Sequence, residues 1–192
     1  MSSITKRREG GLLGLTAQQA SFLANARNEL QTGDPKLLKA YLQRERRDKR
    51  FDSAVHKAIN SGEPLPQDSI SRMLIRYEDK LLKLRGDTIG RTEALEALNT
   101  SQQEAMEQAL DKTQYTEQDV TRVWRCTRDS KTRDSHREMN GQTVKGLTTP
   151  FTTPDGYQLK HPGDSSLGAP ASETINCRCI QFIRLNYLKG LK

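Results

Sequence analysis

Apolar residues recur at helical spacing through the first half of the chain. Behind Thr16 and Gln19, which have the form of a capping box, Ala20, Leu23, Ala24, Arg27 and Leu30 fall on one helical pattern that Gly33 ends. Asp34 is placed to cap a second helix, with Pro35 in its first turn and Leu37, Leu38, Tyr41 and Leu42 as its apolar face. That helix is expected to run into Arg44-Glu45-Arg46-Arg47-Asp48-Lys49-Arg50, a charged end with five basic and two acidic residues. Phe51 to Ile59 adds a further turn or two before the break at Ser61-Gly62-Glu63-Pro64-Leu65-Pro66. Asp68 or Ser69 then caps the longest helical region, with Ile70, Met73, Leu74, Tyr77, Leu81 and Leu84 on one face. Gly86 is a candidate interruption, and the pattern resumes through Ile89, Leu95, Leu98, Ala105, Met106 and Ala109.

After Lys112 the texture changes, with Gly, Pro, Thr and Asp frequent and only short extended candidates: Thr121 to Thr127, Phe151 to Thr153, Tyr157 to Lys160 and Cys177 to Leu185. Pro154-Asp155-Gly156 is a turn signal between the middle two. The pattern predicts an α+β protein in three parts: a loose basic arm over residues 1–15, a helical region over 16–114, and a small C-terminal α+β module over 115–192 with short antiparallel strands. Two or three long amphipathic helices packed antiparallel are expected in the helical region.

Composition changes this picture in one respect. Only 33% of the 192 residues are hydrophobic and 5% aromatic, against 29% charged, so one large core is not expected and a partner surface is. The net charge of +7 is unevenly spread. Residues 1–66 carry 12 basic and 7 acidic side chains, residues 67–120 carry 7 and 11, and residues 121–192 carry 12 and 6. Basic ends around an acidic middle suit nucleic acid or an acidic protein surface. Five cations between Arg44 and Arg50 repel one another if they share a helix end, which makes Arg46, Arg47 and Arg50 candidate contacts to phosphate. No stretch is apolar enough to span a bilayer. The start mimics an export signal, with Lys6, Arg7 and Arg8 ahead of Leu12, Leu13 and Leu15, but the apolar run is short and Gly-rich, so export is not expected. Cys126, Cys177 and Cys179 are an odd set without disulfide-framework spacing, which fits a reducing compartment.

The most informative residues form an ordered string. Ile89-Gly90-Arg91-Thr92-Glu93 lies in the long helical region, followed by Trp124, Asp129-Ser130-Lys131-Thr132-Arg133-Asp134-Ser135-His136, Asn140-Gly141, Phe151, Gly156, Pro162-Gly163-Asp164 and Asn176-Cys177-Arg178-Cys179. This string resembles the phage Mu F-like minor head proteins, also called phage head morphogenesis proteins, over about residues 64 to 184. The resemblance implies a tailed-bacteriophage virion protein with no enzymatic activity, present in the host cytoplasm during assembly and then inside the head. Its implied partners are the portal protein, capsid or scaffold proteins, and double-stranded DNA during packaging or ejection, with no membrane. Many members extend further at the N-terminus, so a short form, or a chain lacking a region that others use, is the expectation.

Physical chemistry assigns these residues mainly structural work. Arg91 and Glu93 are two apart on a helix and face different ways, so each is expected to anchor a separate partner. Thr132 is placed to cap a short helix with Asp134 in its first turn. Cys177 and Cys179 are expected as small buried side chains on one strand face, with Arg178 on the other. No cofactor is expected, because residues two apart on a straight strand cannot close on one ion. The alternative is a zinc site of His136, Cys177 and Cys179, with Asp134 or His161 as fourth ligand. The alternative function is a nuclease or nucleotide-modifying effector, since the resemblance extends to ribonuclease-like toxin folds and Glu93, Arg133, His136 and Arg178 offer acid-base and phosphate-binding groups. An ADP-ribosyltransferase-like use of an Arg, a hydroxyl and a Glu is the remaining enzymatic option.

Overall fold

A computed structural model describes residues 14–190. The expected basic arm over residues 1–15 and the export-like run lie outside the described residues, apart from Gly14 and Leu15 in the arm and Leu15 in the run. The chain divides into two compact units, Met1–Asp87 and Thr88–Lys192.

In the first unit, α1 (Ala17–Gln31) opens with the expected capping box: Thr16 Oγ1 accepts from the Gln19 N–H at 3.1 Å, and Gln19 Oε1 accepts from the Thr16 N–H at 3.2 Å. Its inward face is Leu23, Ala26 and Leu30, while Ala20, Ala24 and Arg27 are exposed. The leucines set the face because alanine carries too little apolar area to decide it. Thr16→Ala is expected to cost about 1 kcal/mol, read as a lower urea midpoint by far-UV circular dichroism; an unchanged midpoint would show that this cap contributes nothing. Helix α2 (Pro35–Leu42) is capped by Asp34, whose Oδ1 accepts from the Lys36 N–H at 2.8 Å.

Helix α2 stops at Leu42, so the basic segment is not a helix end. It forms turns and a short 3-10 stretch (Lys49–Phe51) before α3 (Asp52–Ser61), which Gly62 closes at φ +70°. This geometry brings acids to the arginines. Arg44 makes two 2.6 Å hydrogen bonds to Glu29, Arg47 donates twice to Asp52 at 2.9 and 2.8 Å, and Arg50 reaches Asp48 at 2.6 Å. The paired Arg50 guanidinium holds the Asp48 carboxyl down at about 2. Arg46 has a longer contact, 3.6 Å to an exposed Glu45. The expected cation repulsion is therefore relieved inside the unit.

One helix of 45 residues, α4 (Gln67–Asp111), replaces the two or three long helices expected. It begins one residue ahead of the predicted caps, with the Ile70 N–H bonded to Pro66 O at 3.1 Å. Gly86 does not interrupt it, because a single glycine costs a helix only about 1 kcal/mol. Ile70, Met73, Leu74, Tyr77 and Leu81 join Ala26, Leu30, Leu38, Tyr41 and Val55 in one apolar core, whereas Leu84 is exposed.

The second unit takes the last part of α4 and a small antiparallel sheet in the order β2-β1-β5. Strand β1 (Val120–Arg125) ends two residues before the predicted limit, and β5 (Ile180–Leu185) begins three residues after it, beyond both Cys177 and Cys179. Strand β2 (Thr143–Lys145) is too short to carry a readable alternation and was not foreseen. Strands β3 (Phe151–Thr152) and β4 (Gln158–Leu159) form a hairpin around the expected turn, where Gly156 sits at φ +85°. Among the described residues the unit also has two single-turn α-helices, α5 (Asp134–Glu138) and α6 (Ala171–Thr174), and two 3-10 turns, Glu117–Asp119 and Tyr187–Gly190. Trp124, Met139, Phe151, Leu159, Ala169, Cys177 and Cys179 are its core. This is an α+β fold. The texture change near residue 115 marks where helix gives way to strands, whereas the packing units divide within α4.

Candidate functional site

The family-like residues converge on one short segment, Ile175 to Cys179, where the chain turns into β5. Asn176 has φ +56°, the left-handed region that asparagine tolerates better than most residues. Its N–H donates to Thr92 Oγ1 at 3.0 Å, and its Oδ1 accepts from Arg91 at 3.4 Å. Residues Arg91 and Thr92 of α4 thus hold the turn from one side. Arg133 donates to the carbonyls of Ile175 and Glu173, and Thr127 Oγ1 donates to Arg178 O at 3.1 Å. Arg178 returns a pair of 2.6 Å hydrogen bonds to Asp129. That guanidinium holds the Asp129 carboxyl well below the usual carboxylate range, helped by the Lys131 N–H.

Several residues depart from their expected roles. Thr132 does not cap α5: its hydroxyl bonds Thr127 O and Asp129 Oδ1, so it closes the loop ahead of the helix, and Arg133 occupies the cap position. Asp134 does lie in the first turn, exposed and 3.1 Å from Arg137. Glu93 is exposed and its side chain makes no hydrogen bond or ion pair among the described residues, so of the Arg91 and Glu93 anchors only Arg91 is engaged. Cys177 and Cys179 are buried as expected, but they precede β5 and do not share a strand face. Ser135 Oγ donates to Glu173 Oε2 at 3.0 Å.

The remaining motif residues shape the surroundings. Trp124 is fully buried on β1 and meets the His136 and Phe151 rings edge-on, each at 5.3 Å. Gly141, at φ +93°, donates its N–H to Trp124 O at 2.9 Å. Pro162 O accepts from Asn99 of α4 at 3.1 Å, and Gly163, at φ +90°, lies against Glu96, where a Cβ would stand 3.7 Å from the helix backbone. Burial would raise the Asp164 carboxyl, but the N–H groups of Lys160 and Ser166 outweigh it and keep the group low. His161 bonds Thr100 at 3.2 Å.

His136 is 1% exposed and sits between two kinds of neighbour. Its Nδ1 faces Cys177 Sγ at 3.6 Å and Cys179 Sγ at 3.4 Å, and its Nε2 lies 3.0 Å from Glu173 Oε2. Neither proposed fourth zinc ligand joins this group, since Asp134 faces solvent and His161 bonds α4. A cavity of about 10 Å³ adjoins it, lined by Arg133, His136, Asn176, Arg178 and Cys179 among others. That volume suits about one water rather than a phosphodiester. Of the four candidate catalytic groups, Arg133, His136 and Arg178 line the cavity and Glu93 does not.

Four important side chains were not singled out from sequence. Arg122 is completely buried on β1 and donates to the carbonyls of Gly146, Thr149 and Lys160. Asn99 and Gln181 lock α4 to β5 through two mutual hydrogen bonds. Glu173 is the acid beside His136. The only available signal was Asn99 among the apolar residues of its helix face.

Fold and site together define a small α+β module in which α4 and the Asp129–Arg178 pair clamp an Asn-Cys-Arg-Cys turn. The chain matches the family model described as Phage Mu protein F like protein over residues 49–182. It belongs to this family of bacteriophage head proteins. Comparison with curated proteins and with solved structures gives no match. No described helix is long and apolar enough to cross a membrane.

Proposed function

We propose that the protein is a minor head protein of a tailed bacteriophage, associating with the portal during procapsid assembly and remaining inside the virion in few copies. The observation that carries this reading is the family match over residues 49–182, which includes every residue of the clamped turn. The helical first unit supplies a docking surface for portal, capsid or scaffold proteins. Basic excess at both ends of the sequence supports a weak, sequence-independent contact with double-stranded DNA during packaging or ejection. Of the three candidate arginines for that contact, Arg47 and Arg50 already hold close carboxylate partners and Arg46 has only the longer contact.

Mass spectrometry of purified virions, together with co-sedimentation of the purified protein with portal, is the direct test. Virions of the wild type are expected to contain the protein by mass spectrometry, and the purified protein is expected to co-sediment with portal. Its absence from both virions and portal complexes would sink the proposal. A wild-type nuclease activity abolished by H136A, in protein that still enters heads, would replace it with the enzymatic reading. Titration of unrelated duplexes at two salt concentrations tests the DNA component, and undetectable binding at low salt would remove it.

A further inference from the structure

Two buried sulfurs converge on one imidazole nitrogen: Cys177 Sγ and Cys179 Sγ lie 3.6 and 3.4 Å from His136 Nδ1. The three ligand atoms lie within 4.8 Å of one another, and all three residues are buried. Zn–S bonds of about 2.3 Å and Zn–N bonds of about 2.0–2.1 Å at tetrahedral angles place nitrogen and sulfur about 3.5 Å apart. Both observed separations match that edge.

The surroundings also suit a metal-bound form. Glu173 Oε2 stands 3.0 Å from the far nitrogen, although off the line of an aligned hydrogen bond, and Ser135 holds the same oxygen. A carboxylate behind a ligating histidine orients the ring and raises its basicity. The buried Trp124 N–H has no hydrogen-bond acceptor, and its ring stands edge-on to the His136 imidazole at 5.3 Å. The objection from cysteine spacing applied to a straight strand. Here β5 begins at Ile180, and the left-handed Asn176 starts the bend that turns both sulfurs inward. The five hydrogen-bonding groups clamping residues 175–178 hold that bend before any ion arrives.

We propose that His136 Nδ1, Cys177 Sγ and Cys179 Sγ bind one zinc ion, with a water in the adjoining cavity as fourth ligand. Both sulfurs enter as thiolates and their two protons leave to solvent. The ion ties α5 to the segment leading into β5, and the proposal does not depend on the head-protein reading.

The full chain, purified under reducing conditions without chelator or added metal, is expected to carry about one zinc by elemental analysis. C177S and H136A are expected to lose at least about nine-tenths of it, whereas C126S keeps it. Cobalt added to metal-depleted wild type is expected to produce a thiolate-to-cobalt charge-transfer band, a readout that does not require any variant to fold. Wild type free of zinc and silent with cobalt overturns the proposal. So does zinc retained by C177S and H136A, loss of zinc in C126S, or a thiol count showing a Cys177–Cys179 disulfide.

Discussion

Arg122→Ala is expected to destabilise the second unit by about 3–5 kcal/mol, a large part of the stability of a typical domain. Arg122 is 0% exposed, and its guanidinium donates at once to Gly146 O, Thr149 O and Lys160 O, with Gln181 Oε1 at 3.4 Å. It also lies over the Phe151 ring at 5.1 Å. Burial pushes the guanidinium down to about 10, so it remains charged at neutral pH. Alanine would leave three carbonyls without their donor, each costing about 1–3 kcal/mol where it stays buried, and would open a cavity beside Phe151. Lysine keeps the charge but cannot span all three carbonyls, so R122K is expected to fall between wild type and R122A. The single tryptophan is Trp124 in the same unit, so its fluorescence in urea reports this transition directly. A loss below about 1 kcal/mol for R122A would show that the surrounding loops find water instead.

Asn99→Asp is expected to be the next most damaging change, at about 2–4 kcal/mol at neutral pH. The Asn99 amide donates to Leu95 O at 2.9 Å and Pro162 O at 3.1 Å, and its Oδ1 accepts from the Gln181 N–H at 3.2 Å. Gln181 Nε2 in turn donates to Asn99 O at 3.0 Å. Aspartate replaces the donor with an anion facing two carbonyl oxygens in a site that is 0% exposed. Its native-state pKa must then rise above the ordinary value of about 3.9, so the unfolded state loses its proton first as pH increases. The deficit relative to wild type is therefore expected to shrink as pH falls from neutrality through the raised native value towards about 3.9, where the protonated carboxyl can again donate, and to level off below it, where both states are protonated. Parallel urea curves for wild type and N99D at several pH values provide the check, and a deficit independent of pH would rule out this electrostatic account. Asn99 and Arg122 meet through Gln181, so their variants are expected to be non-additive.

What could be read before folding was local or motif-based. The Thr16 capping box, Asp34 before Pro35, the Gly62 stop and the Pro154-Asp155-Gly156 turn each act within a few residues, and each formed. The ordered motif identified the family because its residue types and order survive without knowledge of their contacts. The helix boundary at Leu42 was missed because the acids that pair with Arg44, Arg47 and Arg50 include Glu29, fifteen positions away. Strand periodicity misled for Cys177 and Cys179, since the residue that bends the chain ahead of them is an asparagine, not a glycine or proline.

By itself the sequence determined the α+β class, the caps at Thr16 and Asp34 and the family, all of which follow from short-range patterns and residue order. Tertiary structure alone decided that Arg122, Asn99, Gln181 and Glu173 are buried, because a polar residue destined for the interior carries the same chemistry as one on the surface. It also decided that two cysteines meet one histidine. Cys177 and His136 are 41 positions apart, and only the pairing of β1 with β5 and the clamps on Ile175 to Arg178 bring their reactive atoms to 3.6 Å. Such convergence depends on long-range packing, which hydrophobic periodicity does not encode.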